Sequence, residues 1–323
     1  MPQSFFSVIV PTRNRPGDLS ETFRTLLAQT RPAQEIVIVD QSETDESRTS
    51  VQRIFSESAA RVRGGTKLTY LSNCRLTGLT AARNAGIAAA EGEIILFLDD
   101  DVLLEPDFVA ELLKGYDEHP EAAGISGVIT NYTRPGVAYR IWCSVFVQGV
   151  FQDDRQPVYW AAAVLHTRKS VRVTRLGGGL MSFRTNAIRG VEFDENLRGV
   201  ADGEDVDFCI RLGPDAPLFM APAARLVHNH SPHGREQGHW LRRHVRANVY
   251  LYRRNWRRGC WNRACMAWLN TGYVLVAIGA SLRRLSVGPC RALLAGWREG
   301  VAAAGGQRAL AVRPISLTPM NQR

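Results

Sequence analysis

This chain of 323 residues lacks several features that mark common classes of protein. Its six cysteines are scattered without a C-x-x-C pair, which argues against a disulfide framework or a zinc site and fits a reducing compartment. It has no long low-complexity segment and no internal repeat. The short apolar run near the N-terminus follows no basic segment and is interrupted by Pro11, so we expect no signal peptide and a cytoplasmic catalytic part.

Acidic residues are scarce in the C-terminal part of the chain. From Ser231 to Arg323 there are 16 basic and two acidic residues, whereas the preceding 230 residues carry 24 basic and 29 acidic ones. The formal net charge of +9 therefore comes from this segment. Such a segment predicts an anionic partner, which is a membrane surface, a polyanionic acceptor or a nucleic acid.

The first 130 residues alternate continuous apolar runs with segments of helical pattern. Strands covered on both faces are continuously apolar, so this alternation predicts parallel βαβ units. We expect an α/β fold with a Rossmann-like, mostly parallel sheet and helices on both faces. The predicted strands are 7–10, 35–39, 67–71, 94–98 and 124–129, and the predicted helices are 18–29, 80–90 and 106–116.

The alternation is interrupted at residues 131–175, which are rich in aromatic and basic side chains, Tyr159 and Trp160 among them. We interpret this segment as an insertion beside the site, on the acceptor side. The pattern returns with a helix at 204–212 and a strand at 218–227, and the chain from 239 onward reads as helical and Arg-rich.

The most informative segment is the apolar strand at 94–98, because it ends in three consecutive carboxylates, Asp99, Asp100 and Asp101. Adjacent carboxylates raise each other's pKa unless a cation neutralises them. Mn²⁺ or Mg²⁺ prefers oxygen ligands and shares its other positions with phosphate. Since α/β folds bind ligands at the carboxyl ends of strands, the segment predicts a nucleotide-diphosphate site. The alternative is a solvated acidic turn that caps the next helix.

Asp40 and Arg83 are further candidate ligand contacts. Asp40 ends the second predicted strand, where an acid can accept a hydrogen bond from a ribose hydroxyl or a base N–H, or form a local cap. Arg83 lies on the helix before the acidic strand, and its guanidinium can face a diphosphate or simply lie in solvent.

Two later segments carry candidate catalytic and metal-binding groups. Acidic residues at 204, 205 and 207 open a helix, where the dipole stabilises them or one serves as a general base. The glycines at 177–179 let backbone approach a ligand closely. His228 follows an apolar strand and can complete a metal site with Asp101; alternatively it belongs to a basic surface loop with the four other histidines between 228 and 244.

In this order, these segments resemble family 2 glycosyltransferases with the GT-A fold. The matching segments cover roughly residues 5–230: SVIVPTRNR at 7–15, the strand ending in Asp40, AARNAGIAAAEGEIILFLDDD at 81–101, the glycine run before Met181, and GEDVDFCIR at 203–211. The resemblance implies metal-dependent, inverting transfer of a hexosyl or deoxyhexosyl group from a nucleotide-diphosphate sugar to an acceptor hydroxyl. It also implies a role in cell-surface polysaccharide or glycolipid synthesis.

The resemblance also implies roles for individual residues. Asp205 would be the catalytic base, and Asp99–Asp101 the D-x-D-type motif, with Asp101, Asp99 and His228 as metal ligands. The implied substrate-binding residues are Pro11, Thr12, Arg13, Asp40, Arg83, Asp99, Asp100, Gly179 and Glu204. One departure concerns the second strand, where many relatives have Val-Asp-Asp-Gly-Ser and this chain has VDQSE at 39–43. The missing acid and glycine leave the base contacts of this loop, and the nucleotide, open.

Residues 264–282 are 19 residues without a charge, flanked by arginines. They are long enough to span a bilayer, but arginines on both sides fit a single orientation poorly. An interfacial amphipathic helix bearing Trp261, Trp268, Tyr273 and Leu275 is favoured, and a helix packed on the catalytic domain is the alternative. We expect a catalytic domain at 1–235 and a helical extension at 236–323 on the inner face of an anionic membrane. The acceptor is then a saccharide or a lipid-linked group.

Three other classes of protein compete with this interpretation. A nucleotidyltransferase should show a Gly/Lys-rich phosphate loop, and the segment 10–15 has no lysine. A nucleic-acid-binding protein would leave the acidic cluster unexplained, and the chain has no zinc-finger pattern, so we expect no nucleic acid partner. A sugar-binding protein without turnover would keep the same fold.

Overall fold

The computed structural model describes residues 5–58, 65–132, 136–147, 151, 167, 169–197, 203–213, 215–229, 240–255 and 259–305. The strands are β1 (Phe6–Thr12), β2 (Glu35–Asp40), β3 (Lys67–Ser72), β4 (Ile94–Leu98), β5 (Val102–Leu104), β6 (Gly124–Ile129), β7 (Val171–Val173), β8 (Leu180–Arg184) and β9 (Leu218–His228). The helices are α1 (Pro16–Leu27), α2 (Glu46–Ser58), α3 (Leu79–Ala89), α4 (Phe108–Glu118), α5 (Val137–Phe146), α6 (Glu204–Leu212), α7 (Trp240–Asn255), α8 (Cys260–Arg284) and α9 (Gly288–Gly305).

The strands form one sheet in the order β3-β2-β1-β4-β8-β6-β9-β5, with β7 paired to β9. The N-terminal half, from β3 to β4, is parallel, as the βαβ pattern predicted. Beyond β4 the sheet is mixed, because β8 lies antiparallel between β4 and β6, and β5 lies antiparallel to β9. The antiparallel β8 carries the glycine run back to the carboxyl end of β4, where Leu98 pairs with Leu180.

The sheet is covered by helices on both faces, and alternate residues of β1 point to opposite sides. Val8 and Val10 belong to a core with α1, α2 and α4, whereas Ile9 belongs to a second core with α3 and α6. On that second side α3 lies close to β1, since a Cβ on Gly86 would stand 2.4 Å from Ile9 Cγ2. The second core, which also contains Ile95 and Phe97 of β4, fixes α3 and α6 relative to that strand.

The described residues after β9 are helical, as predicted, and form a separate apolar cluster with members from α7 and α8. Helix α9 packs closely against α7, because a Cβ on Gly296 would lie 2.4 Å from Arg242 O. Asp194, in the segment before α6, holds α7 through two side chains: Tyr250 donates a hydrogen bond to it, and Arg254 Nε lies 3.0 Å from its Oδ2. Leu251 packs near Gly203, directly before α6.

Several predicted features lie outside the described residues. They are Tyr159 and Trp160 of the predicted insertion, the histidines at 230, 233 and 239, and the arginines beyond 305. Within 131–175 the structure describes helix α5 and the short strand β7, neither of which the sequence pattern had indicated.

Candidate active site

The three consecutive carboxylates after β4 have different environments. Asp100 is buried, and its carboxylate accepts hydrogen bonds from Thr12 Oγ1 at 2.6 Å and from Arg15 Nη1 at 3.1 Å. The hydroxyl of Thr22 donates to the backbone oxygen of Asp100 at 2.8 Å. Burial raises the pKa of Asp100 to about 6, although Thr12 and Arg15 oppose the shift. Asp100 thus joins the end of β4 to the end of β1 and to α1.

Asp99 and Asp101 point to a shared position together with His228. One oxygen of each carboxylate and one ring nitrogen of His228 all lie within 4.8 Å of one another. His228 Nε2 is 2.8 Å from Asp101 Oδ1. Two carboxylates and an imidazole suit a divalent cation such as Mn²⁺. The side chain of Asp99 is 25% exposed, so the group can be reached from solvent.

The position of His228 follows from the pairing of two strands. The antiparallel register of β5 and β9 sets Val102 opposite His228, which places the imidazole beside the preceding Asp101. Asn131, just after β6, fixes the backbone of His228 from the other side: its Oδ1 accepts from His228 N at 3.0 Å and its Nδ2 donates to His228 O at 2.8 Å. Sequence reasoning missed Asn131, although a polar residue two positions after the end of a buried strand is a usable signal.

Arg83 is buried behind this group rather than facing solvent. Its side chain is 1% exposed, and Nη1 donates to Glu204 Oε1 at 2.9 Å. Its Nη2 contacts Asp99 Oδ1 at 3.4 Å and donates to Gly178 O at 2.5 Å. A solvated helix face is therefore excluded for Arg83. Arg83 and Glu204, for which substrate binding stays a prediction, are buried beside Asp99 and the glycine run.

The start of α6 presents Glu204 inward and Asp205 outward. Helix α6 follows Gly203, whose φ of 99° is in the left-handed region that favours glycine. Burial and then the charge of Asp205 raise the pKa of Glu204, against the opposing effect of Arg83. Asp205 is partly exposed, and its carboxylate accepts hydrogen bonds from Gly178 N at 3.0 Å and Val206 N at 2.8 Å.

The glycine run separates the acidic cluster from Asp205, and its last two residues, Gly178 and Gly179, leave no room for side chains. A Cβ on Gly179 would lie 2.5 Å from Asp99 Oδ2, and one on Gly178 would lie 2.7 Å from Glu204 Oε1. Gly179 O also accepts a hydrogen bond from Asp99 N at 3.3 Å. The run therefore brings Asp99 and Asp205 to the same side of the sheet.

The predicted nucleotide-contacting residues lie at the same sheet edge. The parallel register of β1 and β2 pairs Pro11 with Val39 and Thr12 with Asp40, and Arg13 follows β1 as an exposed side chain. Asp40 Oδ1 accepts from Ser42 N at 2.8 Å, which is the local turn considered as an alternative from the sequence. Tyr70 donates to Asp40 Oδ2 at 2.6 Å. Each carboxylate oxygen keeps a further acceptor position.

Comparison with known proteins finds a family match, a curated relative and solved structures with a similar fold. Residues 7–167 match the profile of a family described as glycosyl transferase family 2. The glucosyl-dolichyl phosphate glucuronosyltransferase of Haloferax volcanii is 29% identical over 126 residues. That match covers 38% of this chain and 37% of the relative, so little more than a third of the relative's length is represented.

Many solved structures share the fold, and the following two are among them. The mannosyltransferase PcManGT from Pyrobaculum calidifontis, in complex with GDP-Man and Mn²⁺, has a TM-score of 0.55 at 19% identity; the match covers 94% of this chain and 86% of that one. Residues 1–349 of TarS from S. aureus, in complex with UDP-GlcNAc, have a TM-score of 0.56 at 15% identity, with coverages of 93% and 81%. The GT-A fold that the resemblance implied is confirmed.

Proposed function

We propose that this chain, which belongs to glycosyl transferase family 2 over residues 7–167, transfers a sugar from a nucleotide-diphosphate sugar to an acceptor hydroxyl. The observation that carries the proposal is the convergence of Asp99, Asp101 and His228 within 4.8 Å, across the glycine run from the partly exposed Asp205. Neither a solvated acidic turn nor a structural helix cap accounts for a histidine that strand pairing brings to these carboxylates.

Asp99, Asp101 and His228 are the residues that would hold a divalent cation, Mn²⁺ or Mg²⁺. When bound, the cation supplies positive charge that offsets the negative charge developing on the departing diphosphate. Structures of the same fold in complex with Mn²⁺ and with nucleotide-sugars support a divalent cation and a nucleotide-sugar donor. Asp100 holds the cluster in place through Thr12 and Arg15.

Asp205 serves as the general base. It takes the proton of the acceptor hydroxyl as the acceptor oxygen bonds to the anomeric carbon and the bond from that carbon to the diphosphate breaks. Attack opposite the leaving group inverts the configuration. The two backbone N–H groups that bind Asp205 fix its orientation and leave lone pairs free to receive the proton. Such general-base assistance contributes about 10²–10⁴-fold to the rate.

Arg83 and Glu204 act as positioning residues in this proposal. The guanidinium of Arg83 contacts the carboxyl groups of both Asp99 and Glu204 and the carbonyl of Gly178, so it links the metal side to the helix that carries the base. Because Arg83 is buried, a diphosphate would be bound in front of it by other groups.

The acceptor is a saccharide on a lipid carrier, and the reaction belongs to cell-surface polysaccharide or glycolipid synthesis on the cytoplasmic face of a membrane. The Haloferax volcanii relative is named for a glucosyl-dolichyl phosphate, and this name supports the lipid carrier. The arginine-rich C-terminal segment supports the membrane surface.

A thermal-shift screen tests the donor part of this proposal. Purified protein is heated with UDP-, GDP- and dTDP-sugars, each with Mn²⁺ or with chelator. We expect one donor class to raise the melting temperature in the presence of metal and not with chelator. Equal shifts with and without metal, or no shift with any donor, would contradict it. NMR of the product with the active donor then reports the anomeric configuration.

A further inference from the structure

Helices α5 and α8 expose apolar side chains along much of their length. Leu275 of α8 is 54% exposed and Leu282 is 70% exposed. The other strongly exposed apolar residues of these two helices and of the turn that follows are Val137, Tyr139, Ile141, Val145, Trp261, Val274, Ile278, Leu285 and Val287. Where exposed apolar side chains adjoin one another, they mark a contact with another molecule or with a membrane.

Helix α8 is long and apolar enough to cross a membrane by length and composition, and one such helix occurs in the described part of the chain. Its other face, however, is packed within the protein. Met266, Leu269 and Tyr273 join the cluster formed with α7, and 33% of its most apolar window is buried. Tyr273 and Trp268, which the sequence placed toward lipid, contact the protein instead. Tyr273 is buried at 5% exposure, and Trp268 is partly exposed and donates from Nε1 to Val145 O of α5 at 2.8 Å. Only the opposite face of α8 can meet a partner.

Helix α5 lies alongside α8 in the opposite direction. Trp142 Nε1 donates to Gly272 O at 3.1 Å, whereas Val145, later in α5, is bonded to the earlier Trp268 of α8. Phe146 packs so closely that a Cβ on Gly272 would lie 2.6 Å from its ring. This antiparallel contact sets the exposed N-terminal part of α5 beside the C-terminal half of α8, where Leu275, Ile278 and Leu282 are exposed. We call these exposed residues of α5 and α8 the apolar face.

The charges on these helices are almost all positive. Helices α5, α8 and α9 carry one acidic residue, Glu299, and its carboxylate is paired with Arg242 of α7. Their arginines are Arg140, Arg263, Arg283, Arg284, Arg291 and Arg298, all of them exposed. An apolar surface bordered by arginines is complementary to anionic lipid, whose head groups attract the guanidinium groups while the acyl region accepts the apolar side chains.

We infer that α5 and α8 dock together on an anionic bilayer through the apolar face, with α8 lying in the interface rather than crossing it. Val137 at the start of α5 is six residues from Asn131, so the Cα atoms of Val137 and Asn131 lie within about 20 Å of each other. Asn131 in turn contacts His228 of the site. A head group could therefore reach the site while its lipid stays in the bilayer. The identification of that lipid with the acceptor rests on the proposed function, whereas the docking itself does not.

Vesicle flotation with the full chain tests the docking. Wild-type protein is mixed with vesicles of phosphatidylcholine alone or with added phosphatidylglycerol, at low and at physiological salt. We expect flotation with the anionic vesicles and a weaker response at the higher salt. Ile141→Glu on α5 and Ile278→Glu on α8 should each lower the bound fraction by about tenfold or more, because each places a charge in the apolar contact. Gln52→Glu on the exposed side of α2 adds the same charge elsewhere and should behave like the wild type.

Two further readouts separate the outcomes. Circular dichroism and metal-dependent nucleotide binding of both isoleucine variants should match the wild type, which shows that the fold and the site are intact. The inference is overturned if wild-type protein ignores anionic vesicles, if both variants float like the wild type, or if light scattering shows a wild-type dimer that the variants convert to monomer. Flotation as expected without any sugar transfer would instead leave the docking standing and overturn the proposed function.

Discussion

Arg83 Nη1 donates a hydrogen bond to Glu204 Oε1 over 2.9 Å, between two buried side chains that are 121 residues apart in the sequence. The contact joins α3, which packs on β1, to the first turn of α6, which carries Asp205. A guanidinium cannot lose its proton in a protein, so its burial requires acceptors that stay in place. The relative position of the acidic cluster and Asp205 therefore depends on this pair.

Replacing Glu204 removes one hydrogen-bond acceptor from the buried guanidinium of Arg83 and should therefore lower the stability of the fold. We expect Glu204→Ala to lower the free energy of unfolding by about 3 kcal/mol, because a buried charged donor loses its partner. Glu204→Gln keeps a carbonyl oxygen at the same place and should cost much less. Urea unfolding of both variants checks this, and equal losses would show that the hydrogen bond to Arg83 is not what matters.

The raised pKa of Glu204 also predicts a pH dependence of stability. The folded protein keeps the proton of Glu204 to higher pH than the unfolded chain, whose ordinary value is 4.5. Its contribution to stability is therefore fully present below that value and is lost as the pH rises through the raised folded pKa. We expect the stability of the wild type relative to Glu204→Gln to fall with rising pH, by at most about 1.4 kcal/mol per pH unit. A difference that grows with pH would mean that Arg83 holds Glu204 ionised.

Adding a side chain at Gly179 should lower the affinity for the metal more than it lowers the stability of the fold. A methyl group there would stand 2.5 Å from Asp99 Oδ2, and the carboxylate can turn away from it. We expect Gly179→Ala to weaken Mn²⁺ binding at least about tenfold, measured by calorimetry. Gly177→Ala is the matched control, since a Cβ at Gly177 meets nothing within 4 Å. Similar Mn²⁺ affinities for the two variants would remove Asp99 from the ligand set.

Asp205→Asn should separate turnover from donor binding. The amide preserves the shape of the side chain but cannot take a proton from the acceptor, so we expect turnover to fall about 10²–10⁴-fold. Donor affinity, measured by thermal shift in the presence of Mn²⁺, should be unchanged. Asp215→Asn, a change at an exposed acid outside α6, serves as the control. Wild-type turnover in Asp205→Asn would exclude this residue as the base.

The parallel half of the sheet could be predicted because its strands are continuous apolar runs between helical segments. The structure reproduces the strands at 94–98 and 124–129 and the helix at 204–212 with the predicted bounds. Helix α2 was not predicted because it buries only Ser47, Val51 and Ile54 and therefore shows little apolar periodicity. Strand β5 has three residues, which is too short for a pattern.

The sequence indicates which residues are candidates for the site, but it does not indicate which other side chains surround them. Asp101 and His228 are brought together by the pairing of β5 with β9, and sequence alone indicates neither that pairing nor its register. The burial of Arg83 could not be predicted either, because the sequence of a helix does not show whether its arginine is solvated or buried against carboxyl groups from other elements. Such contacts between distant segments become visible only when the chain is folded.

The most direct test is the position of manganese in crystals soaked with MnCl₂ together with UDP or, in a second soak, together with GDP. Anomalous diffraction should show one strong Mn²⁺ peak in contact with the carboxylate of Asp101 and next to Asp99 and His228, with the diphosphate of the nucleotide that binds on its open side. The same soak of Asp101→Ala should show no peak there. A peak elsewhere, or a nucleotide bound with these three side chains untouched, would contradict the proposal that this cluster holds the metal and the leaving group.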